Sequence, residues 1–198
     1  MTVLEAWADP AGDFATFERL AHARRSSVLI ERDQELPADL VERLCGLVFC
    51  APNHKRTVPW QLAVFVGPAR GRLGDVLCAD LVTAVPDVPA AKIDKTRSKY
   101  LRAPAIVVVG CRPEDDPIRH REDLAAVAAG VQNLLLGASA AGLAALWSSP
   151  PAIDAPQTCA RAGFEPGSEL LGVVYLGWPA SPPPRAVRPE PSVQWHRG

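Results

Sequence analysis

The sequence predicts an α+β domain. Three observations carry this: apolar residues recur at three-to-four spacing in several segments, short β-branched runs stand between them, and one long Ala/Gly-rich stretch reads as a central helix. At 198 residues the chain suits a single domain with a real core.

The elements follow in order. Asp13 to Arg24 reads as a helix with Phe14, Phe17, Leu20 and Ala21 on one face. Pro37 to Phe49 is a second, with Leu40, Val41, Leu44, Leu47 and Val48 as its stripe. Trp60 to Val66 is a strand. Gly71 to Leu81 is a helix, and Ala90 to Leu101 a more polar one, read as a solvated surface helix or a cap over a site. Ala105 to Val109 is nearly all apolar, as in a strand buried on both faces. A polar start at Asp116 to Arg121 opens the long helix through Ala141, whose core face runs Leu124, Val127, Val131, Leu134, Leu135, Ala138. Gly130, Gly137 and Gly142 weaken that helix, so close packing is expected at them. A short strand Leu143 to Trp147, a helix Pro156 to Ala162 and a strand Leu170 to Leu176 complete the domain. From Trp178 the chain is Pro-rich and cannot form a regular helix or central strand. With Trp195 in it, residues 178–198 read as an extended docked arm, and Trp178 and Trp195 as anchors across a dimer.

Composition excludes several classes. A net charge of -1 argues against a general nucleic-acid binder. Five cysteines without a CxxC pair suit a reducing, cytoplasmic setting rather than a disulfide framework or zinc site, and four scattered histidines make no metal cage. Met1 to Pro10 lacks the pattern of a signal peptide. Leu124 to Trp147 has the length to cross a bilayer, but it is mostly Ala and Gly and includes Gln132, Asn133 and Ser139, so a buried helix is expected rather than a membrane span.

Two cationic clusters remain. Arg24-Arg25-Ser26-Ser27 follows the first helix. His54, Lys55, Arg56 and Thr57 crowd a loop between Pro52 and Pro59 that the prolines hold extended. Clusters of this kind mark a site for an anionic ligand without a global basic excess. Guanidinium forks pair bidentately with phosphate oxygens, and a serine hydroxyl adds a donor. The plainer alternative is solvated charge at a helix end.

The ordered set Arg24-Arg25-Ser26, Ala51-Pro52-Asn53-His54-Lys55, Thr57-Val58-Pro59-Trp60, Arg102-Ala103-Pro104, Gln132-Asn133, Trp147-Ser148-Ser149 and Leu171-Gly172-Val173-Val174-Tyr175 resembles the nitroreductase family, most closely its small, single-domain, YdjA-like branch. The resemblance runs from Phe17 to the tail. It implies a nitroreductase-like sandwich spanning residues 1–198, with a central mixed, mainly antiparallel sheet flanked by helices, a homodimer with the long helix at its interface, and two shared sites that each hold FMN. It implies hydride transfer from NADPH or NADH, through the flavin, to a nitroaromatic, quinone or similar small acceptor by a ping-pong cycle. The flavin carries the chemistry, so no catalytic side chain and no metal is expected. By resemblance Arg24, Arg25 and Ser26 bind the phosphate and ribityl chain. His54 approaches the flavin from the partner, and Thr57 donates to its polar edge. Trp147, Ser148 and Ser149 lie along the ring, with a backbone N–H near the hydride-accepting nitrogen. Arg185 or Arg188 reaches the phosphate from the tail. The chain departs from the pattern at Cys50 and Ser148, where relatives have arginine, and at Pro150, which replaces glycine. The departures at Ser148 and Pro150 motivate a second function, a flavin-binding or sequestering protein with little turnover; a third reading compatible with the sequence is a specialised natural-product oxidase or dehydrogenase.

Overall fold

A computed structural model describes residues 10–152, 155–182 and 187–198. The elements run α1 (Pro10–Ala23), α2 (Ala38–Gly46), β1 (Trp60–Val66), α3 (Ala69–Ala84), α4 (Ala90–Lys99), β2 (Ala105–Cys111), α5 (Pro117–Ala140), β3 (Ala144–Ser148), α6 (Pro156–Ala162) and β4 (Glu169–Gly177). Single 3-10 turns at Leu47–Cys50, His54–Arg56 and Tyr100–Arg102 join them. Each expected helix and strand is present, with ends moved by a few residues.

The strands lie in the order β1-β2-β4-β3, and every neighbouring pair is antiparallel. The mixed character comes from one extra contact: Ser26 bridges Ala145 in parallel, beside β3. All seven residues of β2 are buried. Its alternation assigns the two faces, since successive side chains point to opposite sides. Val107 and Val109 join Val127, Val131, Leu134 and Trp60 under α2 and α5. Ile106 and Val108 join Leu73, Leu77 and Phe65 under α3.

Helix α5 is the spine of the first layer. Asp116 caps it, its carboxylate accepting from Ile118 N at 2.8 Å and Arg119 N at 3.2 Å, with Pro117 in the first turn. Among the described residues it is the helix with the length and composition to cross a membrane. Here Val127, Val131, Leu134 and Ala138 are fully buried against the sheet and α2. Gly130 and Gly137 allow the close approach expected of them. A Cβ on Gly130 would stand 2.6 Å from both Val48 Cγ1 and the Val48 carbonyl oxygen; on Gly137 it would stand 2.3 Å from Leu47 Cδ1. Gly142 differs, with open space around it and a φ of +75°, so it serves the left-handed turn after the helix rather than packing.

The aromatic residues of α1 and of the tail are unequally covered. Phe14 and Phe17 lie on the expected apolar face of α1 and are 66% and 56% exposed within one chain. Trp178 is half-buried: it packs on the core of its own chain and its indole N–H donates to Glu35 O at 3.4 Å. Trp195 is 76% exposed, under the Arg197 guanidinium.

Candidate functional site

The first site grows from the end of α1. The chain leaves the helix at Arg24, whose N–H closes the last turn on Leu20 O at 2.9 Å, and turns extended alongside β3. Ser27 N donates to Ala145 O at 2.9 Å and fixes the register. Further along, Glu31 N donates to Trp178 O at 2.8 Å and Ala180 N to Leu29 O at 3.0 Å, so the segment is held between β3 and the chain that follows β4.

These contacts enclose a cavity of about 250 Å³, lined by Arg24, Arg25, Ser27, Ser139, Ala145 and Ser181, among others. Arg25 Nη1 donates to the carbonyls of His22 and Arg24, and Arg188 Nη2 donates to Arg24 O at 2.7 Å. Both guanidiniums therefore sit on the carbonyl end of α1, where the helix dipole favours cations. The Arg24 guanidinium makes no hydrogen bond or ion pair with a described residue, and no described carboxylate pairs with Arg25 or Arg188. Burial, then the charges of Arg188 and Arg25, push the Arg24 pKa below its ordinary value. Three cations gathered without a counter-ion among the described residues are complementary to a polyanion such as a phosphate.

Ser26 falls outside the cavity lining and Ser27 falls within it. Sequence reasoning placed Ser27 in the cluster but gave the binding role to Ser26. The signal for Ser27 was the extended conformation after Arg25, which turns adjacent residues to opposite sides. Arg185 lies outside the described residues, so of the two tail arginines Arg188 is the one seen at the cluster.

Beyond the cavity β3 continues to Ser148, a strand rise of roughly 10 Å from Ala145. Trp147 is half-buried on the core, and its indole lies over Gly172, where a Cβ would stand 2.5 Å from Nε1. The Ser148 hydroxyl donates to Ser149 O at 3.3 Å, and Ser149 is exposed. The Ala145 carbonyl faces Ser27, on the outer side of β3. Outward groups alternate along an edge strand, so the Trp147 N–H faces the same free edge.

The second cluster lies elsewhere. His54, Lys55 and Arg56 form an exposed turn, with left-handed φ values of 57° at Lys55 and 55° at Arg56, and 53° at Val58. Such conformations cost on the order of 1–3 kcal/mol each in residues other than glycine. Thr57 does not face a free edge in this chain: its hydroxyl donates to Asp123 and accepts from Asn53 Nδ2 at 2.9 Å. His54 borders a shallow depression with Glu122, Ala125 and Ala129 of α5. The arginine cavity touches α5 at Leu135 and Ser139. At about 1.5 Å per residue, the two sites stand roughly 15–20 Å apart along the helix. One chain alone therefore does not bring His54 to Arg24.

Among the described residues no group of three His, Cys, Asp or Glu side chains is gathered as a metal site. The five cysteines are unpaired. Burial raises the Cys45 thiol to about 11 and the Cys111 thiol to about 12, so both stay neutral and inert near pH 7.

Comparison with known proteins places the fold. The Bacillus subtilis (strain 168) protein YfhC, assigned by name to the NAD(P)H nitroreductases, is 22% identical over 161 residues, covering 80% of this chain and 82% of that one. A crystal structure of a nitroreductase-like family protein from Bacillus cereus superposes with a TM-score of 0.75 at 25% identity, covering 88% of this chain and 91% of the other. The FMN-dependent nitroreductase NfnB from Mycobacterium smegmatis, solved with NADPH, has the same fold, with a TM-score of 0.64 at 21% identity over 83% of this chain and 88% of that one. The family model for nitroreductases matches residues 22–178, from the last turn of α1 through the arginine cavity to the end of β4. This chain belongs to the nitroreductase family.

Proposed function

We propose that the protein is an FMN-dependent NAD(P)H oxidoreductase that works in the cytoplasm as a homodimer with two shared sites. The observation that carries this is the cluster of Arg24, Arg25 and Arg188, which no described carboxylate neutralises, at the mouth of a cavity running along β3. Its donor set fits a phosphomonoester. The free Arg24 fork takes the phosphate oxygens, Arg25 and Arg188 complete the charge, and Ser26 and Ser27 supply hydroxyls at the rim. A ribityl chain fits the span from Ala145 toward Ser148, which leaves the Trp147–Ser149 edge beside the ring. There the outward backbone N–H of Trp147 and the groups of Ser148 and Ser149 are fixed dipoles, able to favour negative charge without reorganising.

FMN, when bound, supplies the ring that accepts hydride from NADPH or NADH and passes it to a second substrate. The protein's residues bind, orient and exclude water around it. NfnB, FMN-dependent and solved with NADPH, supports this cofactor pair. Since reductant and acceptor would use the same open face, the cycle is ping-pong. An open apolar face over the ring would suit flat acceptors such as nitroaromatics and quinones and discriminate weakly among them.

Dimerisation completes the site. Phe14, Phe17 and Phe49 are half-exposed or more, and Phe17, Leu20, Leu47 and Cys50 of this face line a groove against Leu136 and Gly137 of α5. An apolar surface of this extent on a globular chain marks an interface. A second copy docked there carries its own His54 turn toward the first copy's cavity. The exposed residues 187–198, with Trp195, form the arm that lies on the partner.

The test is purification followed by anaerobic mixing. The expected result is a yellow protein of dimer size that releases FMN and bleaches rapidly with NADPH or NADH. A yellow protein that does not bleach would instead favour the flavin-sequestering function raised by Ser148 and Pro150. A colourless monomer that FMN cannot reconstitute would contradict the proposal.

A further inference from the structure

We propose that Asp123 is a positioning residue that locks the His54 turn in the shape in which it completes the flavin site; this rests on the function proposed above. Asp123 sits in the second turn of α5, 3% exposed, on a helix face otherwise given to the core. Its carboxylate accepts from the Thr57 hydroxyl and from Asn53 Nδ2, the latter at 3.4 Å. Asn53 in turn donates to Thr57 Oγ1 at 2.9 Å and accepts from Val58 N at 2.9 Å. The three side chains thus clasp both ends of the segment Asn53–Val58.

That segment needs a clasp. Three of its residues, Lys55, Arg56 and Val58, have left-handed φ. A β-branched residue such as Val58 holds that conformation only when its surroundings over-determine it. The side chains of His54, Lys55 and Arg56 make no hydrogen bond or ion pair with a described residue, so no described side-chain contact holds the turn's outer surface. The constraint comes from beneath, through Thr57 and Asn53 to Asp123. The Thr57 hydroxyl spends its proton on Asp123 and so acts as a link in the clasp rather than as a donor to the flavin. An exposed, strained turn with a buried carboxylate under it is a presented surface: its job is to hold His54 in a set place for a group outside its own chain.

The experiment uses the purified holoenzyme and compares Asp123→Asn, Thr57→Val and Thr57→Ser, each alone and with His54→Ala. FMN affinity is read from flavin fluorescence, and thermal midpoints are read on the apoprotein. Asp123→Asn and Thr57→Val should each weaken FMN binding by roughly tenfold, the order of one lost charged hydrogen bond. Thr57→Ser keeps the hydroxyl and should restore wild-type affinity. In the His54→Ala background the same two substitutions should add little, because the turn then has nothing left to present. Should Asp123→Asn fail to fold, the near-isosteric Thr57→Val carries the same comparison. Wild-type affinity in Thr57→Val, or losses that simply add to that of His54→Ala, would overturn the clasp while a yellow, reducible wild type left the proposed function standing. A colourless wild type would remove both.

Discussion

Replacing Arg24 by alanine separates a phosphate-binding arginine from a structural one. In this chain the Arg24 guanidinium has no partner among the described residues and is flanked by Arg25 and Arg188, whose charges, with burial, lower its pKa. A structural arginine removed from a fold costs stability. Here removal relieves like-charge repulsion, so the apoprotein should melt at the same temperature or slightly higher, and any gain should shrink in salt as screening removes the repulsion. Binding should move the other way. A charged hydrogen bond to phosphate is worth about 1.5–3 kcal/mol, or roughly a ten- to hundredfold rise in the Kd for FMN. The assay is quenching of flavin fluorescence, run in parallel with FMN and with riboflavin, which lacks the phosphate. Arg24→Ala should weaken FMN and leave riboflavin unchanged. Equal losses for both flavins, or no loss for FMN, would refute the assignment of Arg24 to the phosphate.

Other outcomes follow from the same geometry. Asp80 is a buried carboxylate that caps α6 from α3, accepting from Thr158 Oγ1 at 2.6 Å, Thr158 N at 2.9 Å and Gln157 N at 3.1 Å. Asp80→Ala leaves those donors unpaired and should lower stability by about 2–3 kcal/mol, seen as a fall in the urea midpoint. Gly130→Ala puts a Cβ 2.6 Å from the Val48 carbonyl and 3.0 Å from Trp60 Nε1, and overpacking of this kind should cost about 1–3 kcal/mol in the same measurement. The backbone N–H groups of Arg119 and Ile118 hold Asp116 below its ordinary value of 3.8. Its folded pKa is depressed, so its contribution is complete above 3.8 and is lost as pH falls through the lower folded value. The stability gap between wild type and Asp116→Asn should therefore be constant near neutrality and close in acid, read as urea midpoints against pH.

Most of the fold was legible because its elements are locally consistent. The β-branched run at Ala105–Cys111 and the apolar stripes of α2 and α5 each state their own period, and the neighbours agree. What stayed hidden was non-local. Asp80 and Thr158, or Thr57 and Asp123, are far apart in sequence, and only the packed layers bring them together. A trace was present: Asp123 lies four residues before Val127 on the buried stripe of α5, and Asp80 lies among Leu73, Leu77 and Leu81 on that of α3. A carboxylate on a core stripe must find donors, so each marked a buried contact. Tyr100 was equally unannounced, because the polar helix before it reads as solvated, yet its ring is fully buried and stacks on Tyr175 at 6.0 Å. In the site, the arginine cluster was visible as a cluster. Which serine faced the cavity was not, since that depends on the extended register Ser27 takes from Ala145.

Subunit mixing tests most directly the claim that each site draws on two chains. Arg24→Ala and His54→Ala homodimers should each bind FMN weakly. Exchanged into heterodimers, they should recover one site of wild-type affinity per dimer, since one cavity then has its own Arg24 and the partner's intact turn, while the other lacks both. Heterodimers in which neither site recovers, or in which every cavity keeping Arg24 is already wild type before mixing, would contradict shared sites.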